Sequence, residues 1–155
     1  MSKLIDAGAA IVNVTVNAIR TVDYNGYGPA NASGQTAQSI GFVIDDRSLQ
    51  IVSDGPAANY VLTLVHGRGP TAANGDGSVR KRIREWLDQK NIGEQSQRES
   101  MSYAITKSIH QKGTTLFQKG GNSPIFEALV SDDVTAMVTD AVADIYLELS
   151  GVTAF

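Results

Sequence analysis

Residues 65–93 read VHGRGPTAANGDGSVRKRIREWLDQKNIG. Glycines crowd the first half and cations the second, with Arg80, Lys81, Arg82 and Arg84 inside one five-residue window. A glycine-rich loop that runs into a helix can cradle a phosphate on its backbone amides. That chemistry needs Gly-x4-Gly-Lys-Ser/Thr after a strand, and GPTAANGDGSVRKR lacks the closing Lys-Ser/Thr pair. The dinucleotide fingerprint fails as well, for want of a βαβ unit and the full glycine spacing. Amides near Ser78 remain open to a phosphate, but Asp76 stands beside them and repels one.

The other templates are no better met. The two histidines, His66 and His110, lie far apart, with no HExxH and no carboxylate at ligand spacing. NGDG resembles a fragment of a calcium loop without its regular ligands or closing Glu. Gly-x-Ser-x-Gly does not occur, and the absence of Cys excludes a thiol nucleophile, thiolate metal sites and disulfides. Asp45–Asp46 reads as turn chemistry and Asp132–Asp133 as a helix start. No catalytic residue, metal site or cofactor is therefore expected, and the chain is not read as an enzyme.

Charge is unevenly spread. The net charge is −3, yet residues 66–119 carry ten Lys/Arg against five Asp/Glu, while the rest carries three against eleven. Residues 120–155 hold six acids and no base. Such polarity suits head-to-tail contact between copies, a basic face meeting an acidic one. The basic helix could instead lie along nucleic-acid phosphates without sequence preference. Against that, Glu85 interrupts the cations, aromatics are only 6%, and Trp86 falls on the apolar stripe rather than on a stacking platform. No apolar run approaches the roughly 18–20 residues needed to span a bilayer, and the N-terminus, broken by Asp6, Asn13 and Asn17, reads as mature structure.

The elements that must position these residues follow from periodicity. Ile5, Ala9, Val12, Val16 and Ile19 predict a long first helix over 3–22, although VNVTV also alternates like a strand. Ile40, Phe42 and Ile44, then Leu49 and Ile51, predict a hairpin about DDRS. A short helix with Tyr60, Leu64 and Val65 precedes Gly67, though YVLTLVH alone could be a strand. A helix over 78–90, capped by Asp76 or Ser78, turns Val79, Ile83, Trp86 and Leu87 inward. The next, from about Ser100 to Lys112, buries Met101, Ala104, Ile105 and Ile109 and stops at Gly113. A short helical PIFEAL leads to a last helix capped by Ser131, with Val134, Val138, Ala141, Ile145 and Leu149 as its stripe. The expected fold is α+β: a long N-terminal helix and a small antiparallel hairpin packed with several helices. It is expected as one domain, 1–155, with extended loops at 23–38, 67–77 and 113–123. The tail, 150–155, either frays or binds a partner.

The order of these features carries a resemblance. SGQTAQSI leads through two strands to AANYVLTLVHGRGP, then IREWLDQKNI, then MSYAITKSIHQKGTTLFQKGG and an acidic C-terminal helix. This looks like the tail-completion or neck (head–tail joining) protein family of tailed bacteriophages. The matching residues are Ser39 and Ile40; Tyr60, Val65, Gly67 and Arg68; Ile83, Trp86, Leu87, Lys90 and Ile92; and Ala104, Ile105, Ile109, Gly113 and Thr114. His66 stands where an acid is common and Asn91 where Gly is common. The resemblance, covering roughly 38–121, implies a virion structural subunit in a six-fold or twelve-fold ring around the DNA channel. Neighbouring portal, connector or tail proteins would be its partners, with non-specific contact with packaged DNA and no membrane. It would be assembled in the bacterial host cytoplasm. The interface residues expected on that basis are the cations Arg68, Arg80, Lys81, Arg82, Arg84, Lys107, Lys112 and Lys119. The acids are Asp140, Asp144 and Glu148. The loops 68–77 and 114–123 are expected to order only against neighbouring subunits, because alone they bury little. The alternative remains a nucleic-acid binder acting through helix 78–90.

Overall fold

A computed structural model describes residues 2–23, 26–30, 33–45, 48–71 and 75–150. Among these it has seven α-helices, two 3-10 turns and one two-stranded antiparallel sheet, an α+β fold. The order is α1 (Ser2–Thr21), α2 (Gln35–Ser39), β1 (Ile40–Ile44), β2 (Leu49–Ser53), a 3-10 turn (Gly55–Ala57), α3 (Ala58–His66), α4 (Ser78–Gln89), α5 (Arg98–Lys112), α6 (Thr115–Gln118), a 3-10 turn (Pro124–Val130) and α7 (Asp132–Ser150). Asp46 and Arg47 of the hairpin turn, and residues 151–155 of the expected tail, lie outside the described residues. So does the side chain of Leu149.

Two threonine hydroxyls of α1 find acceptors inside the helix. Thr15 Oγ1 donates to Ile11 O at 2.8 Å and Thr21 Oγ1 to Asn17 O at 2.8 Å. That lets Thr15 sit in the interior, and it rotates the buried stripe away from the expected one. Ala7, Ile11, Thr15, Ala18 and Ile19 are buried, while Ile5 is 48% exposed and Ala9 is also exposed. The helix presents small residues inward so that other elements can approach. At Gly8 an added Cβ would lie 2.6 Å from Cδ2 of Phe42, so the β1 ring packs directly on the helix backbone.

The hairpin pairs Ile40 with Ser53 and Phe42 with Ile51. Asp45 Oδ1 accepts from Ser48 N at 2.7 Å, which is the turn chemistry expected of the first acid of its pair. Ile19, Ala18, Ala37, Ile40 and Ile125 form the core, with Val12, Val16, Val61 and Phe126 against it. The last helix, α7, starts at Ser131, whose Oγ accepts from Val134 N at 3.4 Å, and it turns Val134 and Ala141 inward. It packs on α1 and on the 3-10 turn before it.

α4 and α5 pair with each other as a helical hairpin. Its seam departs from the expected one. Leu87 is fully buried, but Val79, Ile83 and Trp86 are only half-buried. On α5 the buried residues are Arg98, Ser102 and Thr106; Met101, Ile105 and Ile109 are half-buried and Ala104 is exposed. A polar face was chosen over an apolar one because the guanidinium of Arg98 has acceptors waiting in the turn between the helices.

Two expected loops hold more structure, in their described residues, than their composition suggests. Region 23–38 includes α2, and 113–123 includes α6. In the first, the Asp23 carboxylate accepts from Gly26 N at 2.8 Å and Gly28 N at 2.9 Å. Tyr27 then meets Trp86 edge-on at 5.9 Å, and Lys90 Nζ donates to Pro29 O at 2.6 Å. This loop therefore ties the body to α4.

Candidate functional site

The glycine-rich segment that begins the basic region is locked by its own chain. α3 and α5 end on glycines of nearly the same backbone shape, Gly67 at φ 74 and ψ 179 and Gly113 at φ 77 and ψ 178. The two exits cross. Arg68 N donates to Thr114 Oγ1 at 2.9 Å, and Thr114 N donates to Arg68 O at 2.8 Å. A Cβ on Gly113 would stand 2.7 Å from Arg68 O, and one on Gly67 2.6 Å from Thr114 Oγ1. Only glycine allows both the left-handed φ and the close approach. Further along, Thr71 N donates to His110 O at 3.0 Å, Thr71 Oγ1 hydrogen-bonds His110 Nδ1, and Gly75 lies against the same imidazole. Ser123 N donates to Val65 O at 3.2 Å. The expectation that these loops order only against neighbouring subunits is thus corrected: their described residues order against each other, because glycines let two backbones approach to hydrogen-bonding distance.

The start of α4 is occupied from within. Asp76 Oδ1 accepts from Ser78 N at 2.9 Å. Hydrogen bonds from the Ser78 side chain and backbone, helped by the charge of Arg68, hold the Asp76 carboxyl below the usual carboxylate range. A phosphate arriving there meets a fixed negative charge.

The cations of α4 divide into two kinds. Arg80 pairs with Glu99, and its guanidinium lies 5.5 Å from the Tyr103 ring centroid. Arg84 pairs with Glu99 at 3.2 Å and with Asp88 at 3.2 Å. Lys81 and Arg82 are exposed. The hydroxyl end of Tyr60 is desolvated, which raises its pKa, and the charge of Arg82 pulls it back. Of the remaining expected interface residues, Lys107, Lys112, Lys119, Asp140 and Glu148 are exposed and Arg68 is half-buried. Asp144 pairs with Lys3 at 2.5 Å and holds that ammonium above its usual range.

Arg98, two residues ahead of the helix start expected at about Ser100, is the first residue of α5 and the staple of the hairpin. It is 8% exposed. Its Nη1 donates to Asp88 Oδ1 at 3.0 Å, its Nη2 to Asn91 Oδ1 at 2.6 Å, and its Nε to the carbonyls of Ile92 and Gly93, each at 3.2 Å. Asn91 holds φ 52, a left-handed backbone that Gly or Asn accepts. The Arg98 guanidinium is the main reason that the Asp88 carboxyl sits below its ordinary range. The signal in the sequence was Asn91 two residues ahead of Gly93, a turn that exposes carbonyls for a buried donor.

Between the glycine-rich segment and the hairpin lies an open cleft of about 820 Å³. Pro70, Thr71, Gly75 and Gly77 form one wall, and Arg80, Tyr103, Thr106, Lys107, His110 and Gln111 the other. It brings Arg80 and Lys107 together; Arg68, Lys112 and Lys119 are not among the residues lining it. Tyr103 is 57% exposed and gives the cleft an apolar floor beside its cations. Among the described residues no group of three His, Asp or Glu side chains stands where it could hold a metal ion. No described helix is long and apolar enough to cross a membrane.

On the opposite charge side, α7 carries an uncovered face. Val142, Tyr146 and Leu147 are 42%, 71% and 40% exposed, on the side away from Val134 and Ala141. Comparison with known proteins finds no matching family model, no matching curated protein and no matching solved structure.

Proposed function

We propose that this chain is a structural subunit of the head–tail junction of a tailed phage, one copy in a ring around the DNA channel, joined to the rings above and below. The observation that carries this reading is a pair of uncovered surfaces of opposite character on one chain. One is the cleft of the α4–α5 hairpin, where exposed Lys107 stands beside Tyr103, and the other the apolar outer face of α7, in a segment that carries six acids and no base. Ring contacts join two different faces of the same subunit, so each must complement the other. The resemblance of 38–121 to neck proteins supplies the setting, and the virion would be the protein's location.

The competing reading, sequence-independent binding of nucleic acid through α4, is weakened by the internal pairing of Arg80 and Arg84 and supported only by Lys81 and Arg82. The test is to look for the chain in purified virions by mass spectrometry, to place it by immunogold labelling, and to delete its gene. The expected outcome is label at the neck and an accumulation of unjoined heads and tails. Complete particles formed without the protein would end the proposal.

A further inference from the structure

We infer that the floor of the cleft between the glycine-rich segment and α5 binds a nucleotide, its phosphate held by α5 and its planar base stacked on Tyr103. The inference goes beyond the structural-subunit reading and does not rest on it.

It starts from one hydroxyl. Thr106 is 9% exposed, and its Oγ1 is buried with no hydrogen-bond partner among the described residues. Thr15, Thr21, Thr63 and Thr139, also inside helices, each donate to the carbonyl four residues back. Thr106 does not, and a buried polar group left without a partner costs free energy that valine, of the same shape, would not. Thr106 lines the cleft of about 820 Å³, within the roughly 300–1,000 Å³ of small-ligand sites. The acceptor that its hydroxyl lacks is therefore one that a ligand brings.

The neighbours of Thr106 say what that ligand is. Tyr103, Lys107 and Gln111 follow one another at spacings of four, so they share a face of α5, and all line the cleft. Lys107 and Gln111 are exposed, and among the described residues no carboxylate pairs with Lys107. Arg80 is paired with Glu99 and is not counted. The Thr106 hydroxyl, the Lys107 ammonium and the Gln111 amide are three donors on adjoining turns. They suit the three terminal oxygens of a phosphate better than the two of a carboxylate. Asp76, which repels a phosphate at the start of α4, is bonded to Ser78 and is not among the residues lining the cleft.

One turn before Lys107 stands Tyr103, 57% exposed, with the Arg80 guanidinium 5.5 Å from its ring centroid. A cation over one face of the ring leaves the other face for a planar partner, and bases stack on such faces with little regard to their identity. The rise per residue sets Tyr103 and Lys107 roughly 6 Å apart along the helix axis. The ligand must therefore join a planar ring to a phosphate at short range, as a nucleoside monophosphate does.

AMP is the probe, because stacking tolerates any base. Titrated into the full chain labelled with nitrogen-15, it is expected to shift the amides of Gly77, Thr106 and Lys107. It should bind roughly tenfold or more tightly than either adenosine or inorganic phosphate. Equal binding of AMP and phosphate, no binding of AMP, or shifts that miss the cleft would overturn the site. Thr106→Val separates a ligand-binding hydroxyl from a structural one. The free variant is expected to melt no lower than the parent chain and to bind AMP roughly tenfold more weakly. A lower melting temperature would show that the hydroxyl already has a partner, and unchanged affinity that it meets no ligand; either ends the inference. Lys107→Ala should weaken AMP binding by roughly tenfold, whereas Lys81→Ala, an exposed cation outside the cleft, should leave it intact. Equal losses in the two would mean diffuse attraction and would also overturn the site. A 5′-phosphorylated oligonucleotide distinguishes the source. Binding that needs its 5′-phosphate places the nucleotide at a strand end, and binding of AMP alone makes it a free one; both support the site. A chain that binds AMP as expected but is missing from virions would sink the virion reading alone. One found in virions that does not bind AMP would sink this inference alone.

Discussion

The body of the molecule and its α4–α5 hairpin are held together by different physics. In the body, Ile19, Leu64 and Ile125 are fully buried, and α1 gathers strands, 3-10 turn and α7 around an apolar centre. In the hairpin, Leu87 is the one fully buried large apolar side chain among the described residues, and the rest of the buried seam is Arg98, Ser102 and Thr106. A core of the first kind gains from area removed from water and tolerates no cavity. A seam of the second kind depends on donors finding acceptors: Arg98 and Ser102 find theirs, while the buried Thr106 hydroxyl has no partner among the described residues. The basic region can stay thin and charged because Arg98 holds the hairpin together, and the crossing exits at Gly67 and Gly113, with the Tyr27–Trp86 and Lys90–Pro29 contacts, tie it to the body.

The contrast can be broken from either side. Ile19→Ala should cost about 2–5 kcal/mol of global stability, read by urea denaturation, because it opens a cavity at the centre of the body. A loss under about 1 kcal/mol would mean that the body core is not the dominant source of stability. Gly113→Ala tests the joint between the regions. It forces a left-handed φ on alanine and drives a Cβ toward Arg68 O, so a loss of about 2–4 kcal/mol is expected. Arg98→Met should cost about 1.5–3 kcal/mol by stranding the carbonyls of Ile92 and Gly93. Amide exchange should then rise across α4 and α5 before it rises in α1. Uniform exchange would show that the two regions unfold as one.

The smallest effect expected is one of pH. The folded pKa of Asp88 is depressed by Arg98, so its contribution is fully present above the unfolded aspartate value of 3.8 and is lost as pH falls through the folded value. Hairpin stability should therefore decline on acidification below about pH 4, and Asp88→Asn should flatten that decline. An unchanged slope in this variant would remove Asp88 from the hairpin's acid response.

Much of the fold was legible because periodicity and punctuation agreed. The hairpin strands, the helix ending at Gly67, the basic helix and the helix ending at Gly113 lie where alternation and stop glycines placed them, although Gly77, and neither Asp76 nor Ser78, stands at the N-cap of α4. The failures were of facing rather than of element. The stripe of α1 was misjudged because back-bonded Thr15 buries as readily as valine, a fact of hydroxyl geometry that hydropathy does not register. The seam of α5 was misjudged because a buried Arg98 depends on acceptors that exist only once Asn91 adopts its left-handed turn.

For the candidate surfaces, the types and signs of charge were written in the chain and the pairings were not. Arg80, Lys81, Arg82 and Arg84 are consecutive or nearly so, yet two of them meet Glu99 across a helix pair and two do not. That division depends on a helix crossing, which no local window encodes. The sequence by itself determined the kind of elements, their order and the separation of positive from negative charge, because periodicity, stop residues and composition are local properties. Tertiary structure alone decided that the glycine segments lock each other, that Arg98 is a staple, and that Tyr103 and Lys107 share a cleft while Tyr146 stands uncovered. Each of these is a meeting of residues distant along the chain, fixed by which backbones can approach and which donors then find acceptors.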